Sequence, residues 1–108
     1  MNANEVREFA LALPGAQESG HMGKADFRVG NKVFATLPDS EYAVVKLTPE
    51  QQEMLCATEP EMFSPVPGSW GAKGWTRIQL PSVDATTLKS ALRMAWRNVA
   101  PKSLLSQS

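Results

Sequence analysis

An apolar stripe in the last third of the chain restricts the possible folds more than any other pattern in the sequence. Its members recur at helical spacing: Leu88, Ala91, Leu92, Ala95, Trp96 and Val99. A stripe this wide must be buried against another layer of structure. Asp84 is placed to cap the start of this helix, and Pro101 is placed to end it. We therefore predict a long helix that lies with one face on the core.

The N-terminal segment predicts a second amphipathic helix. Its apolar stripe consists of Val6, Phe9, Ala10 and Leu13. Asn4 is the predicted N-cap, and Glu5 and Glu8 stand in the first turns, where the helix dipole favours acids. The Pro14-Gly15 pair ends this helix.

Alternation of polar and apolar residues predicts an antiparallel meander between the two helices. The predicted strands are 26–29, 32–37 and 42–47. Gly30 and Asn31 separate the first two strands by a two-residue turn, since both residues tolerate positive φ.

A short helix and a fourth strand complete the predicted elements. The helix begins with the capping-box sequence Thr48-Pro49-Glu50-Gln51 and ends before Pro60. Residues 59–74 contain three prolines and three glycines, and they are predicted to form a long loop before a strand at 75–80. The element order α-β-β-β-α-β-α predicts one α+β domain over residues 1–108, with an antiparallel sheet and helices packed on one face.

Side-chain alternation divides the predicted sheet into two faces. If the aliphatic residues meet the helices, six basic, aromatic or polar side chains remain on the opposite face: Arg28, Tyr42, Lys46, Trp75, Arg77 and Gln79. Such a face is chemically suited to stacking nucleic-acid bases and neutralising phosphate. The alternative is that Trp75 is half-buried beneath the long loop and that the charges are simply solvated.

Charge balance excludes two classes of protein. The chain has 108 residues with 11 basic and 11 acidic side chains, unlike a polycationic nucleic-acid coat or an acidic disordered tail. Residues 1–70 carry five basic and ten acidic side chains, whereas residues 71–108 carry six basic and one acidic. This asymmetry becomes a surface dipole only if the fold keeps the two parts separate, and the alternative is that the fold interleaves them.

The sequence predicts a cytoplasmic monomer without a membrane anchor. No apolar run approaches the roughly 20 residues needed to span a bilayer. No basic and apolar leader opens the chain. Cys56 is the only cysteine, so an internal disulfide is excluded, which fits a reducing compartment.

Residues that could perform catalysis or bind a metal are sparse. Neither His21, the only histidine, nor Cys56 has a partner at metal-ligand spacing. Cys56 lies near the C-terminal end of its predicted helix, where the dipole raises the pKa of a thiol and opposes its activation. The glycine-rich segment 68–74 lacks the spacing of a phosphate-binding loop. We therefore predict a non-enzymatic protein without a metal or cofactor; the alternative is an enzyme with His21 as its base.

Basic side chains of the C-terminal part are the remaining candidates for function. Lys73 and Arg77 lie in the predicted loop and in the strand that follows it. Lys89, Arg93 and Arg97 form one row along the last helix. Long basic side chains beside an apolar stripe usually cover it with their stems and leave the charge solvated. The alternative is that this row is part of a surface that contacts a partner.

Five sequence blocks carry a family resemblance. They are ALALPGA at 10–16, DFRVGNKVFATL at 26–37, VKLTPEQQ at 45–52, GWTRIQL at 74–80 and AWRNVAPK at 95–102. In this order and spacing they resemble the MmcQ/YjbR family of small bacterial proteins. The resemblance implies that family's compact, CyaY-like α+β fold.

The resemblance also implies DNA binding, because two hairpin-like projections of the family resemble a double-wing arrangement. In this chain the first wing corresponds to the Gly30–Asn31 hairpin, with Arg28 and Lys32. The second corresponds to the segment 70–75, with Lys73 and Arg77.

Two functions are predicted. The first is DNA binding, with phosphate contacts from six cations: Lys73, Arg77, Arg97, Arg93, Arg28 and Lys32. The alternative is an interaction module for a protein or a small ligand, which uses the Trp70–Trp75 loop and the open sheet face around Tyr42.

Overall fold

In the part of the chain that the structure describes, six antiparallel strands form a single sheet in the order β1-β2-β3-β4-β6-β5. The structure is a computed structural model that describes residues 1–21 and 24–106, the side chain of His21 excepted. The strands are β1 (Gln17–His21), β2 (Lys24–Val29), β3 (Lys32–Leu37), β4 (Tyr42–Lys46), β5 (Phe63–Pro65) and β6 (Trp75–Gln79). The helices are α1 (Ala3–Leu11), α2 (Pro49–Thr58), α3 (Ser69–Ala72), α4 (Ala85–Val99) and α5 (Lys102–Leu105). The predicted α+β class with an antiparallel sheet is confirmed.

The long helix α4 covers one face of the sheet, which we call the inner face. It packs across β3 and β4, and α1 packs beside it. The predicted apolar stripe is buried in this layer, with Leu88, Leu92 and Trp96 almost fully enclosed. Trp96 also donates its indole N–H to the carbonyl of Pro14 at 2.9 Å, which ties α4 to the segment after α1.

Hydrogen bonds at the helix starts and turns follow the sequence signals with one correction. α2 begins with the predicted capping box, in which Thr48 and Gln51 bond each other's backbone N–H groups. α1 is capped by Asn2 rather than by Asn4, because Glu5 completes a capping box only with Asn2. A capping box needs Glu or Gln three positions after the cap, and Asn4 is followed at that spacing by Arg7, which donates to its side chain instead.

The predicted hairpin turn is confirmed. Gly30 and Asn31 have φ values of 56° and 66°, the left-handed pair that a tight two-residue hairpin requires. The sheet has a register shift between Phe27 and Arg28, just before this turn. Both Phe27 and Val29 are nevertheless buried on the inner face.

Four elements are absent from the predicted order. β1 is an edge strand in which Gln17, Glu18, Ser19 and Gly20 are all exposed, so it carries no apolar alternation. β5 and α3 lie within the predicted loop at 59–74, and that prediction is wrong for seven of its residues. α3 and the four-residue helix α5 are each about one turn long, too short for a periodic pattern to reveal.

No helix in the two described ranges is both long enough and apolar enough to cross a bilayer.

Candidate binding site on the outer sheet face

The face of the sheet opposite α4, which we call the outer face, carries the side chains that alternation predicts. Thr36 of β3, Val44 of β4 and Arg77 of β6 are cross-strand neighbours in one row. The next row pairs Lys46 with Trp75. These positions alternate with buried residues on every strand, so the prediction of a basic and aromatic outer face is confirmed.

Arg77 and Tyr42 are diagonal neighbours on β6 and β4, a spacing that long side chains can bridge. The guanidinium carbon of Arg77 lies 4.5 Å from the centre of the Tyr42 ring. One guanidinium nitrogen also donates a long hydrogen bond of 3.5 Å to the Tyr42 hydroxyl. The Tyr42 ring and its hydroxyl therefore both contact the cation.

Trp70 and Trp75 form an edge-to-face pair beside Arg77. Their ring centres are 6.1 Å apart and their planes cross at 72°. The Lys46 ammonium lies 5.3 Å from the Trp75 ring, and the Lys73 ammonium lies 5.3 Å from the Trp70 ring. Each of the three aromatic rings, including that of Tyr42, thus has a cation against it.

Close backbone contacts hold the segment between β5 and β6 in place. A Cβ atom on Gly71 would lie 1.9 Å from the Val66 carbonyl oxygen, so only glycine allows α3 to approach so closely. The Val66 N–H donates to the carbonyl of Trp75 at 3.0 Å, which continues the β5–β6 ladder. The amide of Gln52 on α2 donates to the carbonyls of Gly71 and Trp75 at 2.9 and 3.1 Å. The short helix α3, which carries Trp70, is therefore held in a fixed position.

A groove of about 280 Å³ opens on the outer face between these rings. We call it the outer-face groove. It is lined by Thr36, Pro38, Tyr42, Val44, Val66, Trp70, Trp75 and Arg77. Trp70 stands at its rim with 59% of its surface exposed, whereas Val44 in the central row is 8% exposed.

The outer-face groove is cationic. No carboxylate lines it, and within the described ranges no carboxylate lies in ion-pair distance of Lys46, Lys73 or Arg77. The Nε atom of Arg77 is shielded from solvent and has no hydrogen-bond partner in that part of the chain. A buried donor without a partner destabilises the folded state by about 1–3 kcal/mol.

The predicted cations of the first hairpin lie elsewhere on the sheet. Arg28 is on the outer face, where it donates to Asp26 at 3.0 Å. That hydrogen bond, together with the charge of Asp26, raises the pKa of Arg28 above its ordinary value. Lys32 is exposed directly after the hairpin turn. Since Lys32 begins β3, Lys46 ends β4 and Trp75 begins β6, this turn and the Trp70 segment lie at the same end of the sheet.

The predicted cations of the last helix lie on the other side of the sheet. Arg93 and Arg97 line a separate groove of about 460 Å³ between α2 and α4. The Lys89 ammonium lies 4.7 Å from the ring of Phe9 on α1. The cations of the C-terminal third therefore do not form one surface. Lys73 and Arg77 belong to the outer-face groove, and Arg93 and Arg97 do not.

Two residues considered for catalysis have different outcomes. Burial raises the pKa of the half-buried Cys56 thiol. The direction agrees with the sequence prediction, and the cause seen in the structure is loss of solvent around the thiol. The side chain of His21 lies outside the described part of the chain. Within that part, no three side chains of His, Cys, Asp or Glu are grouped as a metal site.

Six contributors to the site are missing from the predicted site residues: Thr36, Pro38, Val44 and Val66 in the groove, and Lys46 and Gln52 beside it. Alternation along β4 places Lys46 on the outer face but does not mark it as part of a site. Gln52 appears in the sequence as an ordinary polar helix residue, and its bonds to the Trp70 segment depend on tertiary packing. Val66 is in a stretch predicted to be loop, and no local signal marks it as part of the groove.

Chemically, the arrangement suits binding. Apolar and aromatic walls accept an apolar or planar group, and the cations beside them accept an anion. These are the residue types enriched at contact centres between proteins.

Comparisons with known proteins agree with this architecture. A family model, YjbR, matches residues 11–98. The crystal structure of the Deinococcus radiodurans protein DR2400, with the family-model domain DUF419, is similar to this chain with a TM-score of 0.77. The two chains are 22% identical, and the match covers 96% of this chain and 85% of that one. Among curated proteins, none matches the sequence. Because the YjbR model covers most of its length, the chain belongs to the YjbR family.

Proposed function

We propose that this protein is a non-enzymatic binding module, and that the outer-face groove is its binding site. The ligand or partner carries an apolar or planar group joined to an anionic group. The observation that supports this proposal most directly is Arg77. Its guanidinium lies among apolar walls, has a solvent-shielded donor without a partner, and has no carboxylate in ion-pair distance in the described ranges.

The neighbours of Arg77 support the same proposal. Lys46 and Lys73 are adjacent to the groove and are held against Trp75 and Trp70. A cation stacked on a ring keeps its charge available while part of its water is already removed. The site is therefore organised for an anion before any ligand arrives, which lowers the entropic cost of binding.

Nuclear magnetic resonance titration of the protein with small fragments tests the proposal. The fragments are matched pairs: benzoate with benzamide, and phenyl phosphate with phenol. We expect the anionic member of each pair to shift the indole N–H signals of Trp70 and Trp75. The indole N–H of Trp96 is bonded in the core and serves as an internal control.

Two arginine variants show whether the binding depends on the groove. Arg77→Gln should weaken the binding of the anionic fragments at least about tenfold, since a hydrogen bond to a charged group contributes about 1.5–3 kcal/mol. Arg93→Gln removes the same charge on the other side of the sheet and should have no effect. Signals of Trp70 and Trp75 that do not respond to any anionic fragment would contradict the proposal.

A second candidate function, DNA binding, is favoured by the placement of the two hairpin connections. Both lie at the same end of the sheet, with Lys32 at one and Lys73 at the other. Lys46, Lys73 and Arg77 would then contact phosphates. Three such contacts predict that log affinity falls with log salt concentration with a slope of about −3 on duplex DNA.

Fluorescence anisotropy with a labelled duplex tests this second candidate. We expect Lys73→Gln/Arg77→Gln to remove about two units of the salt slope. The charge-matched pair Arg93→Gln/Arg97→Gln shows whether the α4 cations contribute. Absence of binding at low salt excludes DNA binding and leaves the first proposal standing.

A further inference from the structure

We infer that the outer-face groove docks a peptide segment of a partner protein, in which one bulky apolar side chain lies between two acidic residues. This inference rests on the proposed function and adds the class of partner. Four features of the groove carry it: its size, its open rim, its charge and the occupation of its ring faces.

The size of the groove fits one side chain. Its volume is about 280 Å³. Sites for small molecules and cofactors usually enclose about 300–1,000 Å³, so this groove lies just below that range. A single phenylalanine, tryptophan or leucine side chain is the appropriate size for a groove between Tyr42, Val44 and Trp70.

The open rim favours a protein surface over a free small molecule. Trp70 is 59% exposed at the rim, and no segment in the described ranges closes over the groove. A small molecule here would keep much of its surface in water, although such sites usually cover about 70–90% of their ligand. A partner protein can fill the groove with one side chain and cover Trp70 with its surroundings. Exposed tryptophans and partly buried arginines dominate binding energy at interfaces of this kind.

The cations around the groove indicate which residues of the peptide flank its anchoring apolar side chain. Arg77 lies in the groove, and Lys73 lies beside Trp70 at the rim. The Lys46 ammonium donates to the carbonyl of Lys73 at 2.9 Å and lies beside Trp75. Three cations without a lining carboxylate are complementary to an acidic segment.

Contacts to the three rings favour a peptide over unstacked nucleic-acid bases. Tyr42 has Arg77 against it, Trp75 has Lys46, and Trp70 has Lys73. A base that stacks on the same face of one of these rings competes with the cation that already lies against it. An apolar side chain can instead enter between the rings while its neighbouring carboxylates reach the cations in place.

Three capped pentapeptides, titrated into isotopically labelled protein, test the inference. The first has phenylalanine between two aspartates. The second replaces both aspartates by asparagine, and the third replaces the phenylalanine by alanine. We expect the first peptide to shift the Trp70 and Trp75 indole signals, with affinity at least about fivefold above that of the other two. The Trp96 signal should remain in place.

Two variants link the effect to the groove. Arg77→Gln and Trp70→Ala should each lower the affinity for the first peptide at least about fivefold. Arg93→Gln on α4 is the charge-matched control and should not change the affinity. An unchanged Trp96 signal shows that each variant is folded.

The outcomes separate this inference from the proposed function. If the three peptides bind equally or not at all, while benzoate or phenyl phosphate still shifts Trp70 and Trp75, the peptide inference is wrong and the groove still binds anions. If single-stranded oligothymidylate shifts these signals and the peptides do not, the partner is a nucleic acid, and the inference is equally overturned. If nothing shifts them, both proposals fail together.

Discussion

Gly74 determines, at the scale of one residue, how β6 enters the sheet beside the groove. Its φ is 106°, and a Cβ atom there would lie 1.9 Å from the carbonyl oxygen of Leu47. The same glycine accepts a hydrogen bond from the Leu47 N–H at 3.1 Å. The two backbones therefore pass each other at a distance that leaves no room for a side chain.

We expect Gly74→Ala to lower the free energy of unfolding by about 1–3 kcal/mol more than Gly68→Ala. Gly68 also has a positive φ, of 82°, but a Cβ atom there meets nothing within 4 Å. Both variants therefore place an alanine at a positive φ, and only Gly74→Ala adds a steric clash. Urea unfolding monitored by circular dichroism measures the free energy of unfolding of each variant. Equal losses of stability would show that the structure relieves the clash by a small shift.

The burial of Cys56 affects how fast its thiol reacts in the folded protein. Because burial raises the pKa of its thiol, the folded protein has less thiolate than the unfolded chain at any pH below that pKa. Reaction with a disulfide reagent at about pH 8 should be slower in the folded state, and the difference should narrow as the pH rises through the raised pKa. A folded rate equal to that in denaturant would contradict the prediction.

At the scale of elements, the capping box of α2 is the clearest local device. Thr48 accepts from the Gln51 N–H at 3.1 Å, and the Gln51 side chain accepts from the Thr48 N–H at 2.9 Å. No residue of α2 is fully buried. Packing therefore stabilises α2 less than it stabilises a core helix, and the cap contributes a larger share. Gln52, one residue later, then reaches the Trp70 segment.

We expect Thr48→Ala to lower the free energy of unfolding by about 1 kcal/mol. Thr58→Ala, at the exposed end of the same helix, should change it by less than about 0.5 kcal/mol. The Thr58 hydroxyl donates to the Met54 carbonyl four residues back, a local bond on an exposed surface. Chemical denaturation of both variants gives the comparison, and a similar loss in the two would argue that the cap is not the cause.

The sequence predicts those elements whose side chains are half-buried, because burial of one face leaves a period in the pattern. α4 and β6 are of this kind. β1 has no such period, since it is an edge strand with exposed residues, and only its pairing with β2 defines it. β5 contains three residues around the buried Phe63, and pairing with β6 makes it a strand.

At the scale of the whole molecule, the charges are divided by the sheet. Alternation correctly assigns Arg77 and Trp75 to the outer face, since faces within a strand follow from its period. It does not say how far apart two helices or loops lie in the fold. The sequence therefore groups Arg93 and Arg97 with Lys73 and Arg77, although α4 lies on the opposite face of the sheet. The sequence predicts the aromatic and basic residues of the groove, because they alternate along the strands or lie next to them. It does not predict that Val66 lines the groove or that Gln52 holds the Trp70 segment.

A tryptophan on the inner face should also contribute more to the free energy of unfolding than a tryptophan on the outer face. Trp96 is fully buried and donates to Pro14, so Trp96→Ala should cost about 3–5 kcal/mol in the free energy of unfolding. Trp70→Ala removes the same side chain from the exposed rim and should cost less than about 1 kcal/mol. Urea midpoints of the two variants test this. A large loss for Trp70→Ala would mean that the rim tryptophan supports the fold rather than a partner.

The edge-to-face indoles of Trp70 and Trp75, 6.1 Å apart, have one optical consequence. Indole transition dipoles this close are expected to couple, and the pair should then contribute an exciton couplet to the far-ultraviolet circular dichroism spectrum. A molecule that enters the groove and rotates either ring should alter that couplet. The protein thus carries its own unlabelled reporter of occupancy.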